Sequence, residues 1–336
     1  MSLKRTKSVV LTGYSGAPEM VETRMTEMRP LDGLIEVQVH TCGINFADIY
    51  QRSGFLSLPL PFTMGLECCG IVTAIGYRSD KFRVGDKVIC YNYMGGMYSE
   101  QVRVDEINCF KIPRDISFEE GACLFINYVS AYLCLLEIGN LTDGKSVFIH
   151  SLAGGFGLAA VQICQRFKDV TIYGTASPSK FQYLHDRYGL SNVMVTEDLI
   201  DGFCAMCPGG LDIVLETESG DVKDFLMSQL RPLGRMIILG AKSSIAREAI
   251  DRPVGLINPV DLILTNRIVS GFHLGVLCDN RKELLEEVLQ TVIDWLRDGI
   301  INPVIHSIWD SLESYLDAIA VLERRSNIGK ILLKIT

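Results

Sequence analysis

The chain reads as an α/β protein in which a doubly wound parallel sheet is joined to a second, irregular β domain. Three observations predict this. The run Ser146–Gln162 reads as a short apolar strand, a glycine turn and a helix. Apolar strands and helical stretches then alternate to about residue 265, and residues 1–120 carry short β patterns broken by glycine. Alternation predicts a parallel sheet covered on both faces, whereas glycine-punctuated strands predict an antiparallel domain.

The strand is Val147–Ile149, the turn holds Gly154, Gly155 and Gly157, and the helix follows from Leu158. A turn of this kind lets the backbone approach a diphosphate, and the helix start offers unpaired N–H groups and a partial positive charge. Counted back from Gly157, the G-x-G-x-x-G fingerprint has Gly154 in second place and Leu152 in first. Leu152 and Phe156 are therefore expected to crowd the turn. A glycine-rich junction that binds nothing is the alternative reading.

Val170–Ala176 is the second strand. NAD-binding units place an acidic residue after this strand to hold the ribose hydroxyls. Here Gly174-Thr175-Ala176-Ser177-Pro178-Ser179-Lys180 offers hydroxyls and a cation instead, which suit the 2′-phosphate of NADP. The other reading of Lys180 is a solvated side chain at a helix start. Met194–Val195, Leu211–Glu216 and Arg235–Gly240 are the next strands, and Val222–Leu230 is one intervening helix. Gly240-Ala241-Lys242 should border the ligand crevice, which lies outside the carboxyl ends of parallel strands.

The bulk composition narrows the function. With 336 residues, 48% of them hydrophobic and 21% charged, the chain has room for two globular domains. A net charge of −8 and no long basic run argue against nucleic-acid binding. The start is too short in apolar residues for a signal peptide, and no 18-residue apolar run predicts a membrane span. The eleven cysteines are odd in number and scattered, with Cys123, Cys134 and Cys164 in apolar surroundings. That pattern predicts reduced thiols and a cytoplasmic protein. Cys204-x-x-Cys207 has no second pair to complete a zinc ribbon.

In the first domain the β segments are IEVQVHTCGI, GIVTAIG, GDKVICYN and YSEQVRV; helices near Arg281–Arg297 and Ser311–Arg324 and a last strand, GKILLKI, close the chain. The motifs run in order: Gly43-Ile44-Asn45-Phe46-Ala47-Asp48, Tyr50, Arg52-Ser53-Gly54, Gly65-Leu66-Glu67, Phe82–Val88, Asn127–Tyr132, the glycine turn and Gly174–Ser177. On these motifs the chain resembles the medium-chain dehydrogenase/reductase superfamily in its zinc-free quinone oxidoreductase branch. Gly139-Asn140-Leu141, Gly271–Gly275 and Asn327–Lys330 make it similar to the VAT-1 group within that branch. The resemblance implies a GroES-like irregular β-barrel catalytic domain from residues 1–120 and 266–336, and a Rossmann-type cofactor domain from 121–265. It also implies no catalytic zinc. The zinc enzymes of this fold carry Cys, His and Cys where this chain has Asn45, Leu66 and, nearby, Ile126, and neither amide nor alkyl groups replace thiolate and imidazole ligands.

The activity implied is NADPH-dependent reduction of a small quinone or α,β-unsaturated carbonyl (enone), with the proton coming from a tyrosine or water. By resemblance, Asn45 and Tyr50 line the nicotinamide side of the cleft between the domains, with Tyr128 a second aromatic candidate, and Asn127 and Ser130 contact the nicotinamide end. Ala153, Gly154, Gly155, Phe156 and Gly157 would hold the diphosphate, and Thr175, Ser177 and Lys180 the adenosine end. Gly240 would border the crevice, Arg325 would lie near the cofactor, and Asn327 and Gly329 would close over it. Relatives commonly form homodimers through sheet edges. Departures from the branch are Leu56, Met64, Thr196, and the added acids Glu216 and Glu218. They frame the alternative: a weakly active or inactive VAT-1-like protein that uses the interdomain cleft for lipid or partner binding, peripheral to a membrane.

Overall fold

Alternation of inward and outward residues builds the first part of the structure. The computed structural model describes residues 3–14, 17–26, 33–55, 58–77, 79–241 and 257–335. Leu56 and residues 242–256, Lys242 among them, lie outside the described residues. Two compact units emerge: Met1–Ile126 with Gly275–Ile293 and Pro303–Thr336, and Asn127–Leu274 with Asp294–Asn302.

In the first unit, β1 (Leu3–Leu11) pairs with β2 (Glu19–Thr26) and with β4 (Phe62–Thr63) in a small antiparallel sheet. The larger sheet contains β3 (Leu34–Ile44), β5 (Glu67–Ile75), β6 (Lys87–Tyr91), β7 (Gln101–Asp105), β8 (Cys109–Lys111), β15 (Ile305–Asp310) and β16 (Lys330–Lys334). Its path is β15-β16-β3-β5-β6-β8, with β7 also on β3. The first seven residues of β3 alternate between half-buried and buried, as one-faced antiparallel strands do. Val37, Val72, Val88, Tyr98, Tyr315 and Ile331 meet in one core cluster. Met64, a departure from the branch, is fully buried in it.

The second unit is a six-stranded parallel sheet: β9 (Ser146–Ile149), β10 (Thr171–Thr175), β11 (Val193–Met194), β12 (Leu211–Glu216), β13 (Leu230–Ile238) and β14 (Ile268–Gly271). Its order, β11-β10-β9-β12-β13-β14, is the 3-2-1-4-5-6 arrangement of dinucleotide-binding sheets. Every residue of β9 is buried, as a central strand covered on both faces requires. The sheet runs past residue 265: the four residues of β14 pair in parallel with β13. So short a strand carries little pattern of its own.

A helix, Phe118–Ile138, revises the expectation from hydropathy. It is long and apolar enough to cross a membrane, with a mean hydropathy of 1.6, although 72% of that stretch is buried inside the protein. Burial of that extent fits a core helix. Ser117 caps it, accepting from the Glu120 N–H while the Glu120 carboxylate accepts from the Ser117 N–H. Two wider π turns interrupt it, Leu124–Val129 and Leu133–Ile138. Such turns concentrate at functional sites.

Candidate active site

In an open parallel sheet the ligand crevice opens where the strand order reverses, here between β9 and β12. The carboxyl ends of these two strands are joined by a fully buried pair, with His150 Nε2 3.0 Å from the Glu216 carboxylate. Glu216 also accepts the backbone N–H groups of Glu218 and Ser219, at 2.6 and 2.8 Å. Burial pushes this carboxyl up, but His150 and the two N–H groups outweigh it and hold it below its ordinary range. Glu216 is therefore a fastened strand end and adds no loose negative charge to the crevice. His150 Nδ1 is buried without a hydrogen-bond partner.

The glycine turn follows at once. Ser151 takes a left-handed φ of 52°, and Gly154 is the N-cap of the helix Gly155–Cys164, which no side chain caps. The start of this helix is thus open to an anion. A Cβ on Gly155 would come within 2.5 Å of Asn127 Nδ2, and one on Gly157 within 2.4 Å of the Ser151 carbonyl. Gly155 and Gly157 are needed for close approach, and Asn127 is packed against the turn from the first π segment. Leu152 does not crowd the turn as expected. It is fully buried, and a Cβ on Gly174 would sit 2.7 Å from its Cγ. The glycine in β10 makes room for the leucine. Phe156 is half-buried and Ala153 is buried.

Around the turn, Thr175 receives two N–H groups: Ser151 N–H on its hydroxyl at 3.2 Å and Leu152 N–H on its carbonyl at 2.9 Å. Ser177 is half-buried at the start of the short 3-10 turn Pro178–Lys180, and Lys180 is buried at 8% exposure. Tyr128 and Ser130 are buried on the long helix, and Gly240 lies against Thr217 after β13. Thr196 opens the 3-10 turn Thr196–Asp198. Cys204 and Cys207 turn to different partners, the Gln229 amide and the Gly210 carbonyl.

The first unit holds the remaining candidates. Asn45 is the N-cap of the helix Phe46–Ser53, in a capping box with Asp48. Its side chain is committed: Nδ2 donates to the Gly43 carbonyl and to Glu67 Oε1, both at 3.0 Å, and Oδ1 accepts from Lys330 Nζ at 2.5 Å. Lys330 Nζ also lies 2.5 Å from Glu67 Oε1, and the Ile126 N–H donates to Glu67 Oε2 at 3.3 Å. Glu67 is fully buried and Lys330 nearly so. A Cβ on Gly43 would meet Glu67 Oε1 at 2.5 Å, Lys330 Cε at 2.7 Å and the Ala122 carbonyl at 2.8 Å. Only a glycine leaves room for this ion pair. Next to it, Asp48 accepts from Asn45 N–H at 2.7 Å and Tyr98 Oη at 2.6 Å. Burial lifts Asp48 to about 7, against the pull of Tyr98, Asn45 and Lys330.

These groups do not fit zinc. Leu66 is apolar, the Ile126 backbone N–H is a donor, and Asn45 is bound to an ammonium. Among the described residues, no group of three or more His, Cys, Asp or Glu is placed to hold a metal ion. Tyr50 is half-buried between Phe46 and Phe55, with ring centroids 5.3 and 5.2 Å away. Asn327 Nδ2 donates to the Gly329 carbonyl at 2.7 Å, and Gly329, at φ 88°, packs on the Val304 carbonyl. Both build the turn into β16 that delivers Lys330. Arg325 is exposed with a left-handed φ of 53°. Glu67 and Lys330 stand inside motifs that give them no role of their own; their pairing, and that of His150 with Glu216, is set by the fold.

Residues 32–114 match the alcohol dehydrogenase GroES-like domain family, and residues 196–333 the zinc-binding dehydrogenase family. The synaptic vesicle membrane protein VAT-1 homolog of Danio rerio is 37% identical over 97% of this chain and 69% of its own length, and that of Homo sapiens 34% identical over 97% and 86%. The crystal structure of the human VAT-1 homolog-like protein superimposes with a TM-score of 0.84 at 31% identity, covering 99% of both chains. A mycobacterial protein complexed with NADPH has the same fold, with a TM-score of 0.84 at 23% identity over 98% of this chain and 99% of its own.

Proposed function

The chain belongs to the medium-chain dehydrogenase/reductase family, among the synaptic vesicle membrane protein VAT-1 homologs, and on that premise we propose that it is an NADPH-dependent reductase of quinones or α,β-unsaturated carbonyls. The observation that carries this reading is the uncapped helix start at Gly154–Gly155, directly after the central strand of a 3-2-1-4-5-6 sheet. A protein of the same fold is complexed with NADPH. The residues present suit that cofactor. N–H groups of the turn Ala153–Gly157 would hold the diphosphate, Ser177 and Lys180 the 2′-phosphate, and Asn127 and Ser130 the nicotinamide end. When bound, NADPH supplies a hydride to an electron-poor carbon.

The chain's own work is binding and proton supply. Tyr50 Oη or Tyr128 Oη, or a water, delivers the proton to the reduced substrate. Hydrogen bonds take the part of a Lewis acid in polarising the substrate carbonyl. Both amide hydrogens of Asn45 are already spent on Gly43 and Glu67, so we assign Asn45 a positioning role. Asn327, Gly329 and Arg325 belong to the loop that precedes β16.

Titration with NADPH and NADH, read by nicotinamide fluorescence and melting temperature, tests the proposal. Tighter NADPH binding is expected, and Lys180→Ala should narrow the preference. No response at millimolar NADPH would sink the reading. An unaltered cofactor ratio in the Lys180 variant would move the 2′-phosphate elsewhere.

We also propose a homodimer through the edge strand β14. Beside it the helix Pro259–Thr265 exposes Ile263 (77%) and Leu264 (78%), an apolar face of the kind that marks an interface. Light scattering should show a dimer that Ile263→Asp with Leu264→Asp converts to monomer; a monomeric parent protein would refute it. Peripheral membrane association is the second reading, favoured by the names of the relatives alone. Recovery of the purified protein with sedimented anionic vesicles would support it.

A further inference from the structure

Four cysteines stand in one row across four neighbouring strands. Cys42 on β3 is the register partner of Cys68 on β5, Cys68 of Cys90 on β6, and Cys90 of Cys109 on β8. All four are fully buried. Cys90 has thiol neighbours on both sides, Cys68 and Cys109, and its interaction with Cys109 is the stronger. The Cys42 thiol donates to the Met97 carbonyl at 3.2 Å, and Cys68 contacts Met97 Sδ at 3.6 Å. Cys109 Sγ instead donates to Cys90 Sγ, 3.6 Å away.

We propose that Cys90 and Cys109 are a redox modification site, at which a peroxide-class oxidant converts the two thiols into a cross-strand disulfide. Directly opposed residues of an antiparallel pair have Cα atoms about 4.5–5.5 Å apart, inside the ~4.4–6.8 Å that a disulfide spans. The sulfurs need to close by about 1.5 Å to reach bonding distance. The strand that has to move is the one best able to. β8 has three residues and ends the sheet path, so Cys109 is held by ladder bonds on one side alone. Edge segments of this kind open locally well before global unfolding, which gives the oxidant its route to buried sulfur.

The surroundings assist the chemistry. S–H donation from Cys109, then from Cys68, with the Lys282 ammonium nearby, lowers the Cys90 thiol against the opposing effect of burial. A thiolate is the form that attacks peroxide. Cys90, as thiolate, attacks one peroxide oxygen; the O–O bond breaks, a sulfenic acid forms, and the hydroxide that leaves takes up the proton Cys90 gave off, as the first water. Cys109 sulfur then attacks Cys90 sulfur, forming the S–S bond and releasing hydroxide, which takes the Cys109 proton. Two thiols and one hydrogen peroxide become one disulfide and two waters: the sulfurs lose two electrons and the peroxide oxygens gain them.

Lys282 is the latch on this strand. Its ammonium is buried, lies 3.8 Å over the Phe110 ring, and donates to the carbonyls of Ile107 and Cys109, the latter at 2.7 Å. It thereby fastens the 3-10 turn Glu106–Asn108 and the first residue of β8.

The test uses the native full chain, hydrogen peroxide, an alkylating quench and tryptic mass mapping. Val88–Arg103 contains Cys90 as its one cysteine and Val104–Lys111 contains Cys109 as its one cysteine. The expected product is these two peptides joined, two hydrogens lighter than their sum and separated by dithiothreitol. Lys282→Met removes the latch, so the amides of the Val104–Lys111 peptide should exchange with deuterium at least tenfold faster, a reading of strand opening that does not depend on the thiolate. In Cys109→Ala, Cys90 should advance to the sulfinic acid. Full oxidation of exposed Cys204 with no joined peptide would overturn the proposal. So would a link that forms only in denaturant, or one that pairs Cys90 with Cys68. Unchanged exchange of those amides in Lys282→Met would remove the latch and the opening route with it.

Discussion

Replacing Lys330 by Met removes one half of a buried ion pair and leaves the other in place. Glu67 would keep two weaker donors, Asn45 Nδ2 at 3.0 Å and the Ile126 N–H at 3.3 Å, but would lose an ammonium at 2.5 Å. Breaking such a pair from one side costs about 3–5 kcal/mol, because the remaining charge stays out of water. For a unit of this size about 1 kcal/mol moves the melting temperature by ~2–4 °C, so a fall of ~6–20 °C is expected. Glu67→Gln should cost a comparable amount by stranding the ammonium. The double variant carries neither charge and should lose much less than the sum, with a coupling of about 2 kcal/mol or more. The two tryptophans make the measurement clean. Trp309 lies on β15 and Trp295 in the other unit, so in a Trp295→Phe background the fluorescence of Trp309 reports the unit that holds the pair. Additive losses, or single variants within about 1 kcal/mol of the parent, would refute the reasoning, since exposed pairs behave in that way.

The pH dependence of the same unit has a definite sign. Asp48 is lifted from 3.8 to about 7 in the native state, so its contribution is full below pH 3.8 and is lost as pH rises through about 7, with a slope of up to ~1.4 kcal/mol per pH unit between. Denaturant titrations across that window should show the slope, and Asp48→Asn should flatten it. Gly155→Ala should weaken NADPH binding about tenfold while melting shifts little, because the new methyl displaces the Asn127 amide from the turn; unchanged affinity in a fluorescence titration would count against the turn as the binding site. Leu152→Ala should destabilise the protein by about 2–5 kcal/mol in thermal denaturation, as a core truncation does, and leave NADPH affinity unimproved. Tighter NADPH binding there would restore the crowding argument.

Much of the fold is legible because it follows short-range pattern. Apolar Val147–Ile149 followed by glycines marks the central strand and its turn, and the motifs through Glu67 and Asn127 mark the family. What pattern does not carry is direction and partnership. Leu152 holds a fingerprint position, but its side chain faces the core because Gly174, 22 residues later, leaves it space. Glu216 reads as a loose acid until His150, just past the end of the neighbouring strand, fastens it. Lys330 lies 285 residues from Asn45, and only the antiparallel pairing of β16 with β3 brings them together. The cysteine row is likewise invisible at spacings of 26, 22 and 19 residues, since strand register alone aligns it. The π turns leave no periodic signature, because the residues on either side stay helical.

Gly43 makes the ion pair a matter of evolutionary history as well as energy. A single methyl there would press at once on a carboxylate oxygen, a lysine methylene and a carbonyl, whereas a methyl on Gly13 would meet nothing within 4 Å. The two glycines are equal as codons and far apart in tolerance. Shortening both Glu67 and Lys330 relieves two of the three contacts of a Gly43→Ala methyl, leaving the Ala122 carbonyl at 2.8 Å, and shortening either one first passes through a stranded charge. The order of substitutions is therefore constrained: three positions far apart in the chain have to change together or stay as they are.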